Sequence, residues 1–226
     1  MKFKAKILES LQETPRTKII RLTKPKDFVF HPGQWVSVWC DDYKDENNNP
    51  VRRAFSIASC PSEEHLELCI ARGKNFSAYF QDLPVGAFVN VEGPFGTFAL
   101  HPGKKIMFIA GGSGVAPFRP MIMQALDEKR EVLLIYSIRI PSDFTYQKEF
   151  ESIDNPKFKL VPTITFDHHF KAWEGERGRV QDFLKKYYKK EYDVYLCGPP
   201  PMVEAMIQKL KQLKHPDKKI FVDKWS

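Results

Sequence analysis

The sequence predicts a small antiparallel β-barrel followed by an α/β doubly wound parallel-sheet domain. Three observations carry this reading. Before residue 101, short segments alternate apolar and polar residues and are separated by turn signals. After His101-Pro-Gly103 the texture changes, and strand-like segments alternate with helix-like ones. At 226 residues the chain is long enough for two modest domains, placed at 1–101 and 102–226.

In the first part, Thr17–Leu22, Gln34–Trp39 and Leu66–Ala71 alternate as half-buried strands do. His31-Pro-Gly33, Asn47–Pro50, Leu83–Gly86 and Gly93-Pro94 punctuate them. Short strands at such spacing suggest a barrel, because closure removes exposed edges. In the second part the expected strands are Lys105–Ala110, Val132–Arg139, Lys157–Val161, Tyr192–Cys197 and Lys219–Val222. The expected helices are Pro117–Lys129, Phe144–Ile153, Val180–Lys190 and Pro201–Leu213. That rhythm implies βαβ units, a parallel sheet and helices on both of its faces.

Hydrophobic residues make up 42% of the chain and charged ones 28%, an ordinary soluble composition. The 18 phenylalanines suit either a β-rich core or faces for planar ligands. The start, Met-Lys-Phe-Lys-Ala-Lys, has no apolar signal core, and no stretch reaches the ~20 apolar residues of a membrane span. A cytoplasmic location is expected, with membrane contact at most peripheral. The four cysteines, Cys40, Cys60, Cys69 and Cys197, form no C-x-x-C, which argues against zinc, a disulfide framework or an iron–sulfur cluster held by this chain. His168 and His169 lack a partnered ligand motif, so no metal is expected. The net charge of +7 is concentrated late, in Lys185–Lys190 and Lys209–Lys214. This is a solvated helix face, or a surface for an acidic partner or polyanion. No nucleic-acid motif accompanies it.

Chemistry is expected beyond the carboxyl ends of the parallel strands. Gly111–Pro117 follows the first, Ser137–Asp143 the second, and Cys197-Gly-Pro-Pro-Pro-Met202 the fourth. The glycines let a ligand approach the backbone closely, and a helix starting near Pro117 offers unpaired N–H groups. A tight turn without a ligand would look the same. In the first part, Arg53–Ser59 lies in strand-like sequence, and Arg72–Ser77 has the glycine, basic and hydroxyl content of an anion-binding turn.

These segments together resemble the ferredoxin–NADP reductase superfamily. Arg53-Ala-Phe-Ser56 resembles its R-x-Y/F-S/T flavin motif, Gly33-Gln-Trp its P-G-Q-aromatic strand, and Arg72–Ser77 its flavin pyrophosphate turn. Gly93-Pro-Phe-Gly-Thr-Phe98 is similar to its G-P-x-G-x-F segment, Gly111–Pro117 to its nicotinamide loop, and Cys197-Gly-Pro-Pro to its C-G-P-P loop. The ending Phe221–Ser226 resembles its acid-x-aromatic terminus. The motifs span the chain in the family's order.

The resemblance implies a six-stranded antiparallel Greek-key barrel that binds FAD, followed by a nucleotide-binding domain for NADH or NADPH. It implies flavin contacts from Arg53, Ala54, Phe55 and Ser56 and from Arg72, Gly73, Lys74, Asn75, Phe76 and Ser77. Phe55 stands where the family commonly has Tyr, which leaves the apolar contact without the hydroxyl. Gly112, Ser113, Gly114, Pro117, Cys197, Gly198 and Pro199 would meet the nicotinamide half. Ser56, Cys197, Asp223 and Trp225 are the candidate catalytic residues, with Ser56 at flavin N5 and Trp225 covering the flavin until nicotinamide displaces it. Arg139 and Asp143 would meet the adenosine ribose, where Asp143 favours NADH by repelling a 2′-phosphate. The implied activity is a stand-alone flavoprotein reductase that passes electrons to a separate, acidic acceptor such as a ferredoxin-type protein or oxygenase component. A free-flavin reductase and a non-catalytic redox-complex subunit are the alternatives.

Overall fold

The computed structural model describes residues 1–166 and 170–223. The first sheet contains β1 (Lys2–Thr14), β2 (Thr17–Thr23), β3 (Trp35–Trp39), β4 (Arg53–Ser56), β5 (His65–Ala71) and β6 (Phe88–Phe95). Their order is β4-β3-β6-β1-β2-β5, with every neighbouring pair antiparallel. An antiparallel bridge between Ile57 and Leu68 brings the end of β4 against β5 and closes the sheet. Alternation fills the interior: Leu66, Leu68 and Ile70 of β5 meet Val36 and Val38 of β3 and Val89 and Val91 of β6. The seven-residue helix α1 (Phe76–Asp82) plugs one end with Phe76 and Phe80. It begins inside the expected turn Arg72–Ser77, whose Phe76 and Ser77 are its first two residues, and is too short to carry a helical period.

β1 is not among the expected strands, although its exposed Lys2, Lys4 and Lys6 alternate with Phe3, Ala5 and Ile7 as in a half-buried strand. At 13 residues it extends with β2 as a hairpin toward the second sheet. There the Tyr146 N–H donates to Glu13 Oε1 at 2.7 Å.

The second sheet contains β7 (Lys105–Gly111), β8 (Glu131–Ile138), β9 (Phe158–Ile164), β10 (Glu176–Arg177), β11 (Asp193–Cys197) and β12 (Ile220–Asp223). All pairs are parallel, in the order β10-β9-β8-β7-β11-β12. Its helices are α2 (Phe118–Asp127), α3 (Gln147–Glu151), α4 (Val180–Tyr187) and α5 (Pro200–Gln212). The period of two in β7 builds both layers. Ile106, Phe108 and Ala110 pack with α2 and Phe150 of α3, whereas Met107 and Ile109 pack with α4 and α5. The first cluster also takes in Ile19, Ala58 and Cys69 from the barrel, so it runs across the boundary between the two units.

The helix expected over Phe144–Ile153 forms only as α3, five residues long. Tyr146 is left-handed at φ 59 and commits its N–H to Glu13 and its hydroxyl to Glu67. Tertiary bonds override local propensity there. β10, with two residues, is too short to show a period. No helix among the described residues is long and apolar enough to cross a membrane.

Phe108 is fully buried, with ring centroids 4.8 Å from Phe118 and 5.3 Å from Tyr195. Phe108→Ala is expected to lower stability by roughly 3–5 kcal/mol in urea unfolding, the cost of a large aromatic cavity.

Candidate functional site

The strand order of the second sheet reverses between β7 and β11, which opens a crevice at their carboxyl ends. Gly111 ends β7 and Cys197 ends β11. The loops that follow meet backbone on backbone. A Cβ at Gly114 would stand 2.4 Å from the Cys197 carbonyl oxygen, and one at Gly111 2.8 Å from Pro199 Cδ. Gly112 is different: its φ is +53, and a Cβ there would meet no described atom within 4 Å. The loop is therefore open to a ligand at that residue. The buried Tyr136 hydroxyl donates to the Gly112 carbonyl at 3.0 Å and holds the turn from behind. Pro117 caps α2, one residue later than the sequence suggests, after a 3₁₀ turn over Gly112–Val115.

On the barrel side, β4 pairs with β3, which sets Ser56 opposite Trp35. Ser56 is 3% exposed, and its Oγ has no hydrogen-bond partner among the described residues. It stands close enough to the Asp223 carboxyl to lower that group's pKa, without the geometry of a formed bond. The net Asp223 shift is upward, because burial outweighs the help from Cys197 and Ser56. Cys197 Sγ lies 3.7 Å from Asp223 Oδ2, as the register Cys197–Asp223 between β11 and β12 requires. Ser56, Cys197 and Asp223 thus converge from β4, β11 and β12. Trp225, His168 and His169 lie outside the described residues.

Two cavities meet at the glycine loop. One of about 420 Å³ is lined by Ala54, Phe55, Cys69 and Ala71 of the barrel and by Gly112, Ser113, Gly114, Gly198 and Pro199 of the loops. The other, about 600 Å³, is lined by Gly112, Ser113, Arg139, Asp143 and Pro199. It also takes in Thr14 and Arg16 from the β1–β2 hairpin and Phe166 and Arg179 from just after β9 and β10. The sequence reading missed these four, because nothing local signals that a barrel hairpin overhangs the neighbouring unit.

The expected anion-binding turn is less uniform. Arg72 makes a bidentate pair with Asp82 at 2.7 and 2.6 Å, across the length of α1. Gly73 N–H donates to Ser77 Oγ at 3.0 Å, and Lys74 is exposed. Arg53 and Asn75 border a separate hollow of about 460 Å³ beside Tyr43. The Arg53 guanidinium donates to the Arg52 carbonyl at 2.9 Å. The Phe76 side chain is fully buried in the barrel core, so only its backbone faces a ligand. Phe55 is half-buried, 5.7 Å from the Phe80 ring, with one side on the 420 Å³ cleft.

The residues present fit a flavin and a nicotinamide dinucleotide: Phe55 gives a flat apolar wall and Gly112 an open turn on one cleft, and the buried, unpaired Ser56 hydroxyl follows Ala54 of its lining by two residues. Comparisons with known proteins agree. Residues 4–100 match the oxidoreductase FAD-binding domain and residues 108–208 the oxidoreductase NAD-binding domain. The xylene/toluene monooxygenase electron transfer component XylA of Pseudomonas putida is 29% identical over 88% of this chain and 59% of its own length. The phenol hydroxylase P5 protein of Acinetobacter pittii is 29% identical over 93% of this chain and 62% of its own. The chain therefore spans about three-fifths of these relatives. The solved structure of the ferredoxin reductase in carbazole 1,9a-dioxygenase superposes with a TM-score of 0.88 at 27% identity, covering 100% of this chain and 69% of that one. With the two family matches adjoining across most of its length, the chain belongs to the ferredoxin–NADP reductase superfamily of FAD- and nicotinamide-dependent oxidoreductases.

Proposed function

We propose that this chain takes hydride from NADH onto bound FAD and passes the electrons to a separate acceptor. The observation that carries the reading is the buried, unpaired Ser56 hydroxyl beside the Asp223 carboxyl, which Cys197 also contacts, next to the strand residues Ala54 and Phe55 that line the cleft. FAD, when bound, supplies an N5 atom that accepts hydride and a ring system that releases electrons singly. Ser56 donates a hydrogen bond at N5, satisfying a donor that burial otherwise leaves unpaired. Phe55 supports the flavin face. Arg53, Arg72 and the backbone of Gly73, Lys74, Asn75, Phe76 and Ser77 hold the pyrophosphate. For this Arg72 exchanges Asp82 for phosphate, an easy exchange because exposed ion pairs are weakly held.

Gly112, Ser113, Gly114 and Pro117 form the opposite wall with Cys197, Gly198 and Pro199, and these admit the nicotinamide. Hydride transfer needs no general base here. The residues orient the two rings and exclude water. Asp223 acts behind Cys197 and Ser56 as a desolvated acceptor. NADH is favoured over NADPH because Asp143 lines the larger cavity and its carboxylate repels a 2′-phosphate, although Arg139 lies beside it. The net charge of +7 suits an acidic acceptor protein. Relatives named as an electron transfer component and a hydroxylase protein support an oxygenase setting, and a cytoplasmic location follows from that reading.

FAD-loaded protein should stay yellow on desalting and bleach with NADH under anaerobic conditions. Ser56→Ala should slow bleaching about 10- to 100-fold, the loss of one strong hydrogen bond. Wild-type protein that does not bleach would refute the reading.

Asp143→Ala should raise kcat/KM for NADPH relative to NADH. A wild type that prefers NADPH, with no change in the variant, would overturn the assignment to NADH.

The raised pKa of Asp223 makes a stability prediction. A carboxyl whose pKa is higher folded than unfolded binds its proton more tightly in the fold, so stability falls as pH rises above the ordinary 3.8. Asp223→Asn should match wild type in acid and melt at a higher temperature at neutral pH. A constant difference in melting temperature across that range would contradict it.

A further inference from the structure

We propose that Arg119 is a positioning residue for hydride transfer, which clamps the nicotinamide loop to the strand carrying Ser56; this rests on the hydride-transfer reading above. Arg119 is the second residue of α2, two positions after Pro117. It is 8% exposed, and its guanidinium is divided between the two units. Within its own unit, Nε donates to Glu149 Oε1 at 2.9 Å and Oε2 at 2.8 Å. Across the boundary, one terminal nitrogen donates to the Ala58 carbonyl at 2.8 Å and Glu63 Oε2 at 3.0 Å, and the other to Glu63 Oε1 at 3.1 Å. Glu67, 1% exposed, lies 3.7 Å away and also accepts from Arg21 at 2.8 Å and the Tyr146 hydroxyl at 3.0 Å.

The two ends of this clamp lie beside the two halves of the site. Ala58 follows Ser56 by two residues, and its N–H is tied to the Glu67 carbonyl at 2.8 Å. Arg119 follows the loop through the first turn of α2, whose Phe118 is locked in the core. A shift of the guanidinium therefore moves the loop relative to Ser56. Hydride transfer is sensitive to such a shift, because donor and acceptor must lie within van der Waals contact and a displacement of about 1 Å costs about 100-fold. A cation near a helix N-terminus is also unfavourable for the helix, so α2 gains nothing locally from Arg119. Burial works against its charge, and the hydrogen bonds it donates to Glu63 and Glu149 more than offset that.

The test is stopped-flow reduction of the full-length FAD-loaded protein by NADH, in wild type, Arg119→Lys and Glu63→Gln. Arg119→Lys keeps the charge and loses the fork. Its limiting rate at saturating NADH should fall about 10- to 100-fold, while the NADH dissociation constant stays within about threefold, a change of under ~0.7 kcal/mol. The primary deuterium isotope effect on that rate should rise or hold, since the chemical step is the one slowed. Glu63→Gln removes one partly exposed charge and keeps the test open should Arg119→Lys not fold. It should show a smaller loss in the same direction. A limiting rate equal to wild type in either folded variant, or a loss that appears only in NADH affinity, overturns the proposal. Wild-type protein that is not reduced by NADH refutes the underlying reading instead, so the two failures are distinct.

Discussion

The cleft depends first on a close approach of two loops that admits no side chain. Gly114 lies against the Cys197 carbonyl, and a Cβ there would stand 2.4 Å from that oxygen. The loops after β7 and β11 can therefore press together at the crossover point of the sheet, where a larger residue would force them apart. Strand register then carries the effect outward. Cys197 is level with Ala110 on one side and Asp223 on the other, so the thiol and the carboxyl are set side by side. Asp223 is kept from water in that position, which raises its pKa and leaves it facing Ser56 from the other unit. A steric condition on one glycine thus reaches the electrostatics of three residues on three strands.

The barrel meets this arrangement from the seam where its sheet closes. β4 pairs along its length only with β3, and the bridge from Ile57 to Leu68 completes the circuit just past Ser56. Ser56 consequently sits at the end of a strand whose next residues are fixed from two directions: Ile57 donates to the Gln34 carbonyl at 2.9 Å and Ala58 to the Glu67 carbonyl at 2.8 Å. The hydroxyl is buried and has little freedom to find a partner within the protein. Leaving it unpaired costs stability, a cost that the proposed flavin contact would recover.

The strands that end at the cleft were legible as an apolar run before Gly111 and as strand-like sequence around Arg53, each with glycine, proline or hydroxyl residues beside it. The roles proposed for Ser56, Gly112 and Cys197 come from the resemblance, and the structure brings their strands together. The overhanging hairpin with Thr14 and Arg16 was not legible, since turn residues do not reveal which unit a hairpin leans on. The partner that Arg72 takes, Asp82, lies ten residues away on the far end of a helix too short to show a period. Tyr146 reads as helix because its tertiary bonds to Glu13 and Glu67 have no local trace. Arg119 did leave one: a basic residue in the first turn of a helix opposes the helix dipole, which signals a tertiary partner. Without the fold, nothing said that the partner would be Glu63.

The contact between the units is charged where an apolar one would bind at least as strongly. Glu63, Glu67 and Glu149 surround Arg119, with Arg21 as a second cation. Buried ion pairs recover little more than their desolvation cost, and well-packed apolar residues often stabilise more. Apolar surfaces, however, tolerate sliding, because the energy depends on area rather than direction. A forked guanidinium loses its bonds on a small rotation and so fixes orientation. The remaining negative charge, on Glu67 and Glu63, accepts from donors of fixed geometry, the Tyr146 hydroxyl and the Cys60 N–H. For a reaction governed by the separation of two rings held by different units, direction matters more than strength of association. The charged clasp supplies direction, and the apolar cluster running through Ile19, Ala58 and Cys69 beside it supplies most of the strength.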